Sequence, residues 1–473
     1  MYSNLSPYYP KVTRLREHWV VVVLLLLGAA LRGVAEAAYF PALIFPDSVR
    51  YLEYAHSFAH GHWTVDDQRQ SGYSILILPA VALNAIWLIP LVQHLAGLAT
   101  AVLIYTVLIR FGARRWLAAL ATIPVLFDPL QVILEQYVLT DVWTVLLIMA
   151  ALALLVTSRH AVAGLLLGVA VTFRDEELIM IVPAVIYLIA ARRSLKQLTA
   201  LVICFLIPVT VYLGWFDATR GHWNFTTFSG AFLYGRVADF ADCTGLSLPA
   251  YEKPLCPTQP PAQRVADYYT WNPASPQWTF TVPPGKSRDT VVQDFSRRIL
   301  EHQPLAYAEA VTKDFLYGFS PVRGAGPEHY SPSYLKFHKQ IPPDPQAAAS
   351  LKAIGIGWPA SNTALAGFLQ GYWFYIPGPL LAAGLVLGLA GAVIGAVRKG
   401  HNQTLLFSLS TIAVLIPPAV FATFDWRYQL PQLTLIPVAA VLGITALTAT
   451  AGTAESDRPA APAEDLQAPP PAR

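Results

Sequence analysis

Apolar residues in this chain run in long blocks separated by short polar stretches. A bilayer core about 30 Å thick needs about 20 residues of apolar helix. The first block, Trp19 to Ala38, follows Lys11, Arg14 and Arg16. It runs into Arg32, Glu36 and the pair Tyr39–Phe40 without a small-residue cleavage site, so it reads as a retained span, not a secretory signal. Further blocks cover 72–90, 92–110, 115–128, 137–157, 160–173, 176–191, 197–215, 372–397, 403–423 and 429–450. Val49 to His60 has a different pattern. Tyr51, Leu52, Ala55, Phe58 and Ala59 form one stripe, which predicts an amphipathic helix at the interface, ended by Gly61.

Basic residues orient the spans, because Lys and Arg favour cytoplasmic loops. Arg110, Arg114 and Arg115 form one such group, Arg192, Arg193 and Lys196 a second, and Arg398 with Lys399 a third. All three become cytoplasmic if the N-terminus is inside and only one span lies between residue 71 and Arg110. The block 72–90 carries Pro79 and Pro90 and has no basic boundary with 92–110. It reads as a re-entrant or interfacial hairpin; the alternative is a crossing segment with a misplaced arginine pair. The expected fold is an all-α polytopic membrane protein of ten to eleven transmembrane helices. The pieces 39–91, 129–137, 174–177, 216–371 and 424–428 face outside.

Composition agrees with the pattern. Of 473 residues, 55% are apolar and 13% charged, and the net charge is +3. An ordinary soluble domain has roughly 25% charged residues. Disorder, a soluble enzyme and a nucleic-acid binder relying on bulk charge are excluded. The chain divides into a transmembrane module at 1–215, an external loop domain at 216–371, C-terminal transmembrane helices at 372–452 and a disordered cytoplasmic tail at 453–473. Residues 359–371 are partly apolar and read as lying along the surface before the next span. The external loop holds Cys243 and Cys256, where a disulfide is permitted and would restrain the segment. No Walker loop, GxGxxG, HExxH or CxxC is present.

Five polar clusters lie on the outer pieces. Asp47 stands where the chain leaves the first span; it either caps the following helix or accepts a proton from a hydroxyl. Asp66, Asp67 and Arg69 precede the 72–90 block, as a solvated loop or as a polar floor beside Asp47. Asp141 falls in the first turn of a membrane helix, where an acid is costly unless paired or wet. Arg174, Asp175, Glu176 and Glu177 lie between two spans and need mutual pairing or an aqueous cavity. Arg427 and Tyr428 open the last span; the arginine either snorkels in an aromatic belt or meets a lipid phosphate. Acids suit proton abstraction, and the guanidinium fork suits a phosphate. Attack by a hydroxyl on a sugar whose leaving group is a lipid phosphate needs both beside a membrane.

Pro46-Asp47-Ser48-Val49-Arg50-Tyr51, Leu139-Thr140-Asp141, Phe173-Arg174-Asp175 and Arg427-Tyr428-Gln429-Leu430-Pro431 occur in that order. In these motifs the chain resembles the GT-C class of glycosyltransferases that use a polyprenyl-phosphate sugar. It looks most like the protein mannosyltransferase and aminoarabinose transferase branch. Ser48 stands where that class often has a second acid. Arg69-Gln70-Ser71-Gly72 stands where that class often has a Lys-Pro-Pro, which implies that Arg69 would take the lysine's phosphate contact. The resemblance implies a GT-C fold and inverting transfer of a sugar, of mannose or arabinofuranose type, to a glycan, lipid or protein acceptor. Asp47 would be the base and Asp141 would orient the acceptor or its hydrogen bonds. Arg69, Arg174 and Arg427, with Tyr428, would hold the donor phosphate. Tyr51, Asp66, Asp67, Asp175, Glu176 and Glu177 would line the substrate site or bind a divalent metal cation, which some relatives carry. A bacterial plasma membrane, with the site outside, is the expected location. A lipid or lipid-linked sugar flippase and a non-catalytic assembly partner are the competing readings. The first would want arginines on both leaflets, and the second would have no use for Asp141 at membrane depth.

Overall fold

The structure is a computed structural model that describes residues 17–324, 332–398 and 402–448. Lys11, Arg14, Arg16, Lys399 and the tail expected from residue 453 lie outside the described residues. Helix α1 (Trp19–Ala38) is the first span, and α2 (Pro46–Ala59) is the amphipathic helix after it. Tyr51, Leu52, Ala55 and Phe58 are buried as the stripe requires, whereas Ala59 is exposed at the fraying end. Gly61 terminates the segment with φ +83°, a left-handed conformation that glycine adopts without a Cβ clash.

The block 72–90 divides into α3 (Gly72–Ala82) and the start of α4 (Leu88–Arg110). Eleven residues of helix span about 16 Å, half of a bilayer core, so α3 is too short to cross by itself. Next come α5 (Arg115–Leu120), α6 (Ile123–Phe127) and α7 (Pro129–Gln136), with a 49° bend where α7 begins. Residues 129–137 are therefore not a simple outer connection. Asp128 caps α7 by accepting from the Leu130 N–H, and Leu130 to Gln136 are buried. Helices α8 (Asp141–Val156) and α9 (His160–Val171), a 3₁₀ turn (Asp175–Met180) and α10 (Ile181–Ala190) follow.

Among the described residues, six helices have the length and apolarity to cross a membrane, or seven if the bent 115–136 pair is one span. The ten to eleven expected from apolar blocks exceed this number. Polar clusters at residues 135–141 and 174–177 hold block ends out of the α-helix, so helices are shorter than the blocks.

Helix α11 (Leu195–Arg220) packs tightly on α9, where a Cβ at Gly164 or Gly168 would collide with the carbonyl of Leu201 or Phe205. This is the close approach that small residues four apart allow between membrane helices. The segment between α11 and α19 holds α12 (Ser229–Ala238), α13 (Ala266–Trp271), α14 (Pro276–Thr279), α15 (Arg288–His302), α16 (Pro304–Tyr317), α17 (Pro345–Ala353) and α18 (Thr363–Gln370). It has a core of its own around Tyr234, Tyr269, Val291, Phe295 and Ile299. Cys243 and Cys256 form a disulfide beside that core. Residues Tyr39–Phe40 (β1) pair antiparallel with Ala360–Ser361 (β2), and Leu43 makes a parallel bridge to Tyr137; these are small departures from all-α. Helix α18 then lies against α1. Helices α19 (Gly378–Arg398), α20 (Asn402–Phe421) and α21 (Leu430–Thr448) complete the bundle.

Inside the bundle, Arg32 donates to Glu135 (2.6 Å) and to the carbonyls of Val125 and Leu126 (both 2.9 Å). His94 meets the other Glu135 oxygen at 2.7 Å. At one end of the molecule, His18 contacts Tyr105 (2.7 Å) and Glu17 pairs with Arg115 (2.6 Å). The functional clusters gather elsewhere.

Candidate active site

Local structure at the head of α2 decides what Asp47 does. The Phe45 N–H donates to Ser48 Oγ (2.9 Å), which itself donates to the Val138 carbonyl (2.9 Å). With the helix start tied by Ser48, Asp47 is not the cap. It accepts from Arg69 Nη2 (2.8 Å) and from Arg427 Nη1 (2.9 Å). Arg427 also donates to both oxygens of Asp141, at 3.3 and 3.1 Å. Arg174 donates to Asp141 Oδ1 (2.7 Å) and pairs with Glu176. The result is one alternating chain: Arg69, Asp47, Arg427, Asp141, Arg174, Glu176.

Each member is placed by a different element. Asp47 belongs to the first turn of α2, Arg69 to the loop before α3, Asp141 to the first turn of α8 and Arg174 to the extended residue before the 3₁₀ turn. Arg427 sits in a second 3₁₀ turn, Trp426–Gln429, whose start Asp425 fixes by accepting from the Arg427 N–H (3.0 Å). Arg427 is 8% exposed, so it does not snorkel into an aromatic belt. Aromatic rings cover the guanidiniums. Phe45 lies 5.0 Å from Arg427, Tyr428 5.2 Å from Arg174, and Trp271 and Phe232 lie 5.1 and 5.4 Å from Arg69. Such contacts stabilise a cation and limit its hydration.

Burial alone would raise the Asp47 carboxyl, but Arg69 and Arg427 outweigh it and hold the group well below the usual carboxylate range. Tyr51 is buried, and burial with the Asp47 charge pushes its phenol up.

Two expectations change. Asp66 and Asp67 are not a floor beside Asp47: both pair with Arg50, each at 2.5 Å from Nη2, and the Asp67 carbonyl accepts from Thr226 and Thr227. They fasten the loop carrying Arg69 to α2 and to the stretch at Thr226–Thr227. The acids offered for a metal do not converge either. Glu176 is taken by Arg174, Glu177 is buried with Oε2 unpaired, and Asp175 lies in the same 3₁₀ turn. Among the described residues, no group of three or more His, Cys, Asp or Glu is arranged to hold a metal ion.

Several participants escape sequence reasoning. Arg323, from the segment between α11 and α19, forms a bidentate pair with Asp128 (2.6 and 2.9 Å) and donates to Gln429 (2.7 Å), beside Arg427. Asp267, on α13, is electrostatically coupled to Asp425 and Asp47. Asp128, an acid within an apolar block, is the signal that could have exposed the first pair; nothing in the spacing marks Asp267.

No family model matches the chain, and no curated protein sequence does. Solved structures do show a likeness. A Saccharomyces cerevisiae protein O-mannosyltransferase, the Pmt1–Pmt2 complex bound to the sugar donor, aligns with 50% of this chain and 38% of its own at 17% identity and TM-score 0.34. ArnT from Cupriavidus metallidurans bound to undecaprenyl phosphate aligns over 90% of this chain and 77% of its own, at 15% identity and TM-score 0.38. The Archaeoglobus fulgidus oligosaccharyltransferase in its apo form aligns over 93% and 51%, at 14% identity and TM-score 0.44. A protein mannosyltransferase, the branch the sequence motifs resemble, is among them. At these scores the likeness carries no residue role over to this chain.

Proposed function

We propose that this chain is a membrane glycosyltransferase. It moves a sugar, of mannose or arabinofuranose type, from a polyprenyl-phosphate donor to an acceptor hydroxyl at the external face of a bacterial plasma membrane. The observation that carries this reading is the ion-pair chain: one buried guanidinium, Arg427, two half-buried ones, Arg69 and Arg174, and two aspartates, from segments far apart in sequence, meet at one place. Guanidiniums in a water-poor site are preorganised for charge that develops on a phosphate leaving group.

The reaction is a single displacement. The acceptor oxygen bonds to the anomeric carbon, the bond from that carbon to the phosphate oxygen breaks, and the anomeric configuration inverts. The hydroxyl proton passes to Asp47, and the phosphate keeps the electron pair. Without donor, Asp47 is neutralised by Arg69 and Arg427. A phosphate that draws those forks toward itself raises the proton affinity of Asp47, so donor binding switches on the base. Asp141 keeps Arg427 and Arg174 aligned. No step is routed through a metal.

The test uses purified protein with a polyprenyl-phosphate sugar. Asp47→Asn is expected to abolish nearly all transfer while the protein stays folded and binds donor; normal turnover by this variant would remove the base assignment. Arg427→Lys keeps the charge but loses the fork. Donor binding is expected to weaken by about 1.5–3 kcal/mol, the scale of a charged hydrogen bond. Unchanged donor affinity would remove the phosphate role.

A further inference from the structure

Helix α13 brings Asp267 and Trp271, four residues apart and hence on one face, to the ion-pair chain from the segment between α11 and α19. Trp271 packs over Arg69, the partner of Asp47, at 5.1 Å. It is braced by Phe228, stacked with ring centres 5.9 Å apart, and by Phe232, edge-on at 5.5 Å. Despite these contacts Trp271 is 39% exposed, so part of the indole is left uncovered. One turn earlier, Asp267 Oδ2 is buried with no hydrogen-bond partner. A buried carboxylate oxygen without a donor is costly, and a ligand that supplies donors relieves the cost.

We propose that Trp271 and Asp267 form the acceptor subsite, and that the acceptor is a neutral saccharide whose ring lies on Trp271 and whose hydroxyls donate to Asp267. This rests on the glycosyl-transfer reading and names its second substrate. Three observations select a saccharide. A sugar ring has an apolar C–H face for an indole and several hydroxyl donors at its edge, which matches this pair of side chains. The charges acting on Asp267 are the acids Asp425 and Asp47, so an anionic group placed on Asp267 itself, away from the arginines, would be repelled. Arg69 joins Trp271 to Asp47, so a ring resting on the indole is one guanidinium away from the group that takes its proton.

Burial, with Asp425 and Asp47 nearby, pushes the Asp267 carboxyl up to about 7. Asp267 accepts hydroxyl donors best when ionised. Saccharide affinity therefore rises with pH through about 7, with Asp47, Asp425 and Arg69 as the charged groups facing that region.

The full chain, purified without donor, is titrated with neutral tetrasaccharides built from mannose, galactose or arabinose and with a Ser/Thr peptide, followed by calorimetry. Polyprenyl phosphate binding is measured alongside. At least one saccharide is expected to bind, with affinity reduced about tenfold or more in Trp271→Ala and Asp267→Asn, the loss expected for one ring contact or one charged hydrogen bond. Trp271→Phe should retain most of the affinity, and Asp267→Asn should lose the pH dependence. Polyprenyl phosphate binding should stay within twofold in Trp271→Phe and Asp267→Asn, which shows that they fold; Trp271→Ala, which uncovers Arg69, is checked by its thermal unfolding transition instead. The proposal is overturned if no saccharide binds, if the peptide binds instead, or if both loss variants bind saccharide like the parent. Saccharide binding that behaves as expected in a chain that ignores polyprenyl phosphate would uphold the subsite and sink the donor assignment.

Discussion

Asp47 shares its carboxylate between arginines that come from opposite parts of the chain, and that has a measurable consequence in acid. Its folded pKa lies below the unfolded value of about 4. It therefore adds stability that is fully present above the unfolded value and is lost as pH falls through the folded one. Thermal unfolding in detergent between pH 3 and 7 should show Asp47→Asn less stable at neutral pH and less sensitive to acid than the parent. Asp267 has the opposite sign: its raised pKa makes its contribution decline as pH climbs from about 4 toward about 7. Glu135 is a separate case, because it is fully buried and neutralises Arg32 inside the bundle. Glu135→Ala would strand that guanidinium, and a loss of about 3–5 kcal/mol is expected in chemical unfolding. Asp47, Asp141, Arg174 and Arg427 are legible in the sequence because each interrupts or borders an apolar block. The attachment of Asp66 and Asp67 to Arg50 is not, since charges that close across a loop leave no periodic trace. Trp271 and Asp267 are hidden for another reason: the segment between α11 and α19 is full of aromatic and acidic residues, and only folding selects two of them.

Elements were easier to place than to delimit. Apolar blocks mark every long helix, but they overstate length wherever a polar cluster ends a helix early, as before Asp141 and after Val171. The bend after α6 escapes the apolar pattern because α7, which carries Gln131, Glu135 and Gln136, reads as an outer connection; Asp128 and Pro129 mark where it begins. Packing between elements gives sharper predictions. A leucine at Gly164 would drive a side chain into the backbone of α11, so Gly164→Leu should yield little folded protein in size-exclusion chromatography, while Gly33→Leu, which meets nothing, should not. In the segment between α11 and α19, the Cys243–Cys256 disulfide closes a short loop beside that segment's own small core. Its removal by double Ser replacement should lower that segment's stability by about 2–4 kcal/mol, read by proteolysis, and leave polyprenyl phosphate binding unchanged.

At the level of the whole molecule, the site depends on Asp47, Asp141, Arg174 and Arg427 opening onto one side of the membrane, and their mutual ion pairs bring them together. The basic group at Arg114 and Arg115 should then face the other side. In a background with Cys204 replaced, cysteines at Trp63 and Trp116, both exposed positions, should differ in labelling by a membrane-impermeant maleimide. Trp63→Cys should react in intact cells and Trp116→Cys only after permeabilisation; equal reactivity in intact cells would break the arrangement. One further feature bears on how such a protein can be re-engineered. Arg323 clamps the kink at Asp128 and, through Gln429, steadies the turn that presents Arg427. Replacing the 216–371 segment with one from another protein would sever both holds unless an equivalent arginine travels with the graft.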